Sequence, residues 1–73
     1  MEIDAALSRQ AMEAALEQFP NFAKFQPRIE WRALMKGGAF IVAYEERPPN
    51  DFPNAWDFQN AYVKGYKRLA GTD

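Results

Sequence analysis

"RIEWRALMKGGAFIVAYEER", Arg28 to Arg47, is two alternating apolar and polar runs on either side of a glycine pair. Alternation with period two is the pattern of a half-buried strand, and Gly-Gly between two such runs favours a tight hairpin turn, because both glycines accept positive φ. A two-residue turn at Gly37 and Gly38 sets Met35 opposite Phe40, Ala33 opposite Val42 and Trp31 opposite Tyr44, with Ile29 on the same apolar face. The other face carries Arg28, Glu30, Arg32, Glu45 and Arg47, with Leu34 and Ile41 near the turn. In that register Glu30 opposes Glu45, and Arg32 and Arg47 lie diagonally across from the acids. A hairpin alone is marginally stable, so its apolar face requires cover.

The flanking segments supply it. From about residue 4 to 19 there is neither glycine nor proline, and Ala, Leu, Met, Glu and Gln dominate. Ile3, Leu7, Ala11, Ala14, Ala15 and Phe19 share one broad face of a helix, an alanine-rich surface suited to close packing on the sheet. Asp4 is the expected N-cap, and Pro20 stops the helix because the residue before a proline is driven from the α region. After the hairpin, "AWDFQNAYVKGYKRLA" reads as a second helix over about 54–70, with Asn54 as N-cap and Gly71 just past the end. Trp56, Phe58, Tyr62, Val63, Tyr66, Leu69 and Ala70 are expected on its apolar side.

"FPNFAKF" at Phe19–Phe25 returns as "FPNAWDF" at Phe52–Phe58. Two copies with unlike flanks do not make a repeat array, and both read as helix punctuation. In the first, Asn21 starts a short turn over about 21–26 that Pro27 ends. In the second, Phe52 is expected to fold back on Phe58 like a hydrophobic staple. The expectation is therefore a single α+β domain spanning 1–73, α-β-β-α, with strands at about 28–36 and 39–47 and the antiparallel hairpin covered by two helices.

Composition limits the chemistry. A chain of 73 residues buries only about 60% of the surface its unfolded form exposes. Six phenylalanines, three tyrosines and two tryptophans are what make so small a core feasible. There is no cysteine and no histidine, which removes disulfides, the usual zinc ligand sets and the Ser-His and Cys-His nucleophile pairs. Glu45 and Glu46 are adjacent, so on a strand they point to opposite faces and cannot act as a dyad. No catalytic set, metal site or cofactor is expected. No apolar run approaches a membrane span and no leader pattern opens the chain, so the expected location is the cytoplasm. The net charge is −1, with four acids against Arg9 in residues 1–19 and five cations against three acids in 20–47. That balance is neither the basic surface of a dedicated nucleic-acid binder nor the acidity of a DNA mimic.

Binding remains, and three stretches offer it. The charged sheet face presents Arg28, Arg32, Glu45 and Arg47, whose alternating signs suit selection of a protein partner. The loop "RPPNDFPNAW", Arg47–Trp56, is stiffened by three prolines and offers Phe52 and Trp56 as candidate anchors. The basic end of the second helix, Lys64, Lys67 and Arg68 interleaved with Tyr62 and Tyr66, offers phosphate contacts and stacking surfaces, although the helix dipole alone explains cations there. "AYVKGYKRLAG", Ala61–Gly71, resembles the Gly-Tyr/Trp pattern of the ribosome modulation factor family over those eleven residues, and the rest of the chain does not follow it. The expected function is a small non-enzymatic protein-interaction factor. Its finer form is an inhibitor of a larger host complex, a nucleoprotein complex included, of the anti-CRISPR-like kind that phages and mobile elements encode; a homodimer is a further expectation. The alternative is a nucleic-acid or ribosome-associated module using Lys64, Lys67 and Arg68.

Overall fold

The computed structural model describes residues 2–72. Its first helix, α1 (Ala5–Gln18), begins where the sequence places the cap: the Asp4 carboxylate accepts from the N–H groups of Ala6 at 3.0 Å and Leu7 at 3.1 Å. These are two of the four donors a helix start leaves unpaired. Beyond Phe19 the chain turns through a 3-10 segment, Pro20–Phe25, and leaves it at Gln26 with φ 51. Asn21 makes no side-chain cap there, since the N-cap position is Phe19 and Pro20 starts the turn.

Strands β1 (Pro27–Leu34) and β2 (Gly37–Tyr44) form one antiparallel two-stranded sheet. The hairpin and its faces are as the alternation implies, but the turn is not. Met35 and Lys36 form it, and the partners are Ile29 with Val42, Trp31 with Phe40 and Ala33 with Gly38. The slip relative to a Gly-Gly turn is even, so every residue keeps its face. Neither Met35 nor Lys36 takes positive φ, which excludes the primed turns; Gly37 follows at φ 125, where other residues are strained. Gly38 serves a different purpose: the Trp31 ring lies where its Cβ would be. Trp31 thus covers a strand glycine and meets Phe40 edge-on at 4.9 Å. In this register Met35 is fully exposed at the tip, Glu30 lies opposite Ile41 instead of Glu45, and Leu34 is mostly exposed.

Helix α2 (Ala55–Ala70) closes the fold. Asn54 is its N-cap by position but not by side chain: it sits at φ 68 and gives only its carbonyl, to the Phe58 N–H at 2.9 Å. The other end follows the sequence, with Gly71 at φ 74 and bonds from Gly71 N to Arg68 O and from Thr72 N to Lys67 O, a Schellman arrangement. The alanine face of α1 packs more on α2 than on the sheet. Ala11 and Ala15 are buried, and Gly65 lets α2 approach Ala11 closely, a Cβ there standing 3.6 Å from that of Ala11. Ala14 is exposed; Met12 and Leu16 flank the contact in its place.

The core is aromatic. Phe22 stacks on Phe58 at 4.4 Å with planes 2° apart, and Phe19 and Tyr62 meet Phe58 edge-on at 6.3 and 6.1 Å. Ile29, Phe40 and Val42 close it from the sheet, and Tyr66 packs on Phe40 at 5.2 Å. Phe52 does not staple onto Phe58, because Phe22 already occupies that ring face. It packs against Phe22 at 5.1 Å and Phe25 at 4.9 Å.

Candidate functional site

The charged residues of the sheet divide into two sets. Arg28 is consumed within the chain: its Nε donates to Glu30 at 3.0 Å and an Nη to Glu45 at 3.2 Å. The register explains this, since Arg28 faces Ala43 and lies diagonally from Glu45. Arg32 reaches Glu30 only at 3.9 Å, with its side chain 64% exposed, so that contact contributes little. Arg47 makes no ion pair among the described residues.

Arg32 and Arg47 meet again elsewhere, on a groove of about 620 Å³ that also takes in Trp56. Its floor is Ile41, Val42, Ala43 and Tyr44, four successive β2 residues from both sheet faces. The groove therefore follows the edge of the strand. Pro48, Pro49, Asn50 and Ala55 complete its wall. Trp56 is 75% exposed, contrary to its expected place on the apolar side of α2. Successive helix residues turn by about 100°, so with Phe58 central to the core, Trp56 two residues earlier is swung away from it.

Of the expected binding residues, the fold thus brings Arg32, Arg47 and Trp56 together. Arg28 and Glu45 bind each other outside the groove. Phe52 is half-buried in the aromatic cluster and, with Lys24, Phe25, Glu46, Arg47 and Pro49, lines a separate hollow of about 350 Å³. Lys24 stands over the Phe25 and Phe52 rings at 5.2 and 5.3 Å. Tyr44 and the apolar residues of β2 were not expected in a site. Their signal was present in "AFIVAY", a run without a polar residue on either face, as a strand covered on both sides would have.

The basic end of α2 lies apart from both hollows. Lys64 and Arg68 are exposed and Lys67 half-buried. The tyrosines between them face inward: the Tyr62 hydroxyl bonds the Ser8 hydroxyl at 2.7 Å, and the Tyr66 hydroxyl accepts from the Asp4 N–H at 2.9 Å. Neither ring is free to stack on a base.

Two phenols titrate abnormally. Burial raises Tyr44 above the usual tyrosine value. Burial likewise raises Tyr62, opposed by hydrogen bonds to Ser8 and to the Ile29 backbone. No group of three or more His, Cys, Asp or Glu side chains able to hold a metal occurs among the described residues, and no helix among them is long and apolar enough to cross a membrane. No protein family matches the chain, and neither a curated protein nor a solved structure is significantly similar to it.

Proposed function

We propose that this chain is a small non-enzymatic protein-interaction factor that docks its partner along the groove at the β2 edge. One observation carries the reading: Trp56, the largest exposed aromatic side chain, shares a single groove with Arg32 and Arg47. Tryptophan and arginine are the residue types in which interface energy concentrates, and in the free protein they have little other use here. The finer reading is an inhibitor that occupies a larger host complex, of the kind phages and mobile elements encode. The non-enzymatic part draws support from a composition without histidine or cysteine, which lacks the usual nucleophile pairs.

The experiment is an affinity capture from source cells with four forms of the protein: the parent, Trp56→Ala, Arg32→Ala with Arg47→Ala, and Lys64→Ala, Lys67→Ala, Arg68→Ala together. Each is run with and without nuclease and over a salt series, with circular dichroism confirming the fold. Capture that survives nuclease and the triple change but is lost in the first two variants is the expected result. Capture lost only in the triple variant, with steep salt dependence in the parent, rejects this reading in favour of nucleic acid.

A further inference from the structure

We propose that the groove takes an extended, acidic peptide of the partner, which adds to β2 as a third strand. This deepens the reading above and rests on it. The backbone is the first argument. The Glu45 N–H donates to the Gln26 carbonyl at 3.3 Å, continuing the register that pairs Arg28 with Ala43 and Glu30 with Ile41. In an antiparallel ladder such directly bonded pairs alternate with unbonded ones. The N–H and C=O groups of Ala39, Ile41 and Ala43 therefore point to β1, and those of Phe40, Val42 and Tyr44 point to the free edge. Among the described residues no other backbone group bonds them there. From Phe40 to Tyr44 this edge runs roughly 13 Å, room for a peptide of about five residues.

Charge is the second argument. The groove contains two arginines and no carboxylate, since Glu30 and Glu45 are drawn to Arg28 outside it. An added strand would place alternate side chains on its two sides. One set meets Arg32 on the outer sheet face, where a carboxylate forms a two-pronged pair. The other set meets Ala55 and Trp56 on the helix side, where an apolar side chain fits. Backbone bonds then supply affinity and this alternation supplies selectivity. A second copy of the chain is a poorer occupant: paired edge to edge it would present "GGAFIVAY", which has no acid to answer either arginine.

A random dodecapeptide display library, panned against the immobilised full chain, tests this without knowledge of the partner. The enriched sequences should alternate acidic and apolar residues. The best of them, resynthesised, should weaken by at least about tenfold when alternate backbone amides of one phase are N-methylated, and much less in the other phase. Arg32→Ala with Arg47→Ala should weaken it by a similar factor. The proposal is overturned if no such pattern is enriched, if N-methylation has no effect in either phase, or if a lysine-for-acid peptide binds equally. It is also overturned if concentration-dependent self-association blocks the groove, or if a random single-stranded DNA oligonucleotide displaces the peptide. Failure of the peptide with cellular capture still dependent on Trp56 leaves the interaction reading standing and removes only strand addition. Loss of both dependences removes both.

Discussion

Along β1 the outward edge begins at Pro27, which has no N–H to offer, passes Ile29, buried under the helices, and runs on to Trp31 and Ala33. Along β2 the outward groups of Phe40, Val42 and Tyr44 meet no backbone partner, and a groove runs beside them. A free strand edge is a template for pairing, and proteins usually blunt it with proline, charge or cover. Here the β1 edge is blunted at its proline end, and the β2 edge is open along a groove flanked by arginine and tryptophan. The difference points to the β2 row, where unpaired backbone groups lie beside a groove lined by arginine and tryptophan.

The comparison is broken most severely from the closed side. Tyr62 is 1% exposed and bonds Ser8 in α1 while reaching Ile29 in β1, so Tyr62→Ala should cost about 3 to 5 kcal/mol, the range for a truncated buried aromatic. In a domain of this size that leaves much of the population unfolded, seen as a collapse of the urea midpoint.

Gly38→Val comes next, at about 1 to 3 kcal/mol, because its side chain would overlap the Trp31 ring and force repacking. Gly37 faces open space, so Gly37→Ala should act through its backbone strain alone and cost less. Equal effects at the two positions would mean that Trp31 does not cover Gly38.

Tyr62→Phe sharpens the comparison by removing only the hydroxyl, at about 1 kcal/mol in thermal or urea unfolding. It also carries a pH signature. Tyr44 and Tyr62 are raised in the folded state, so the fold keeps its stability below about pH 10, the unfolded value, and loses it as pH rises through the raised folded values. With no histidine or cysteine to titrate, stability should be flat from about pH 6 to 9. The alkaline fall should be shallower in Tyr62→Phe.

Smallest is the effect from the open side. Trp56→Ala should change stability by no more than about 0.5 kcal/mol, because that ring supports little of the fold. A loss above about 2 kcal/mol would make Trp56 a packing residue and remove it from the site.

Much of this architecture is written locally. Alternation marks the hairpin and its buried face, Asp4 and Gly71 mark helix ends, and both "FPN" copies are punctuation. What is not legible depends on contacts between distant segments. A Gly-Gly pair satisfies a primed turn in isolation, but the indole of Trp31 needs a glycine beneath it and moves the turn to Met35 and Lys36. Phe52 has Phe58 within local reach, yet Phe22, far away in sequence, takes that ring. Of the candidate site, the sequence offers only the residue types of an interface in Arg32, Arg47 and Trp56, whereas their convergence depends on the final register and on the path of the 47–56 loop.

Amide hydrogen exchange of the free protein, followed by NMR residue by residue, tests the two-edge account most directly. The N–H groups of Ala39, Ile41 and Ala43, bonded to β1, should exchange slowly, and those of Phe40, Val42 and Tyr44 should exchange faster by at least about tenfold, independently of protein concentration. Uniform protection along β2 in the dilute monomer would contradict it, because the edge would then be already paired and no third strand could be added.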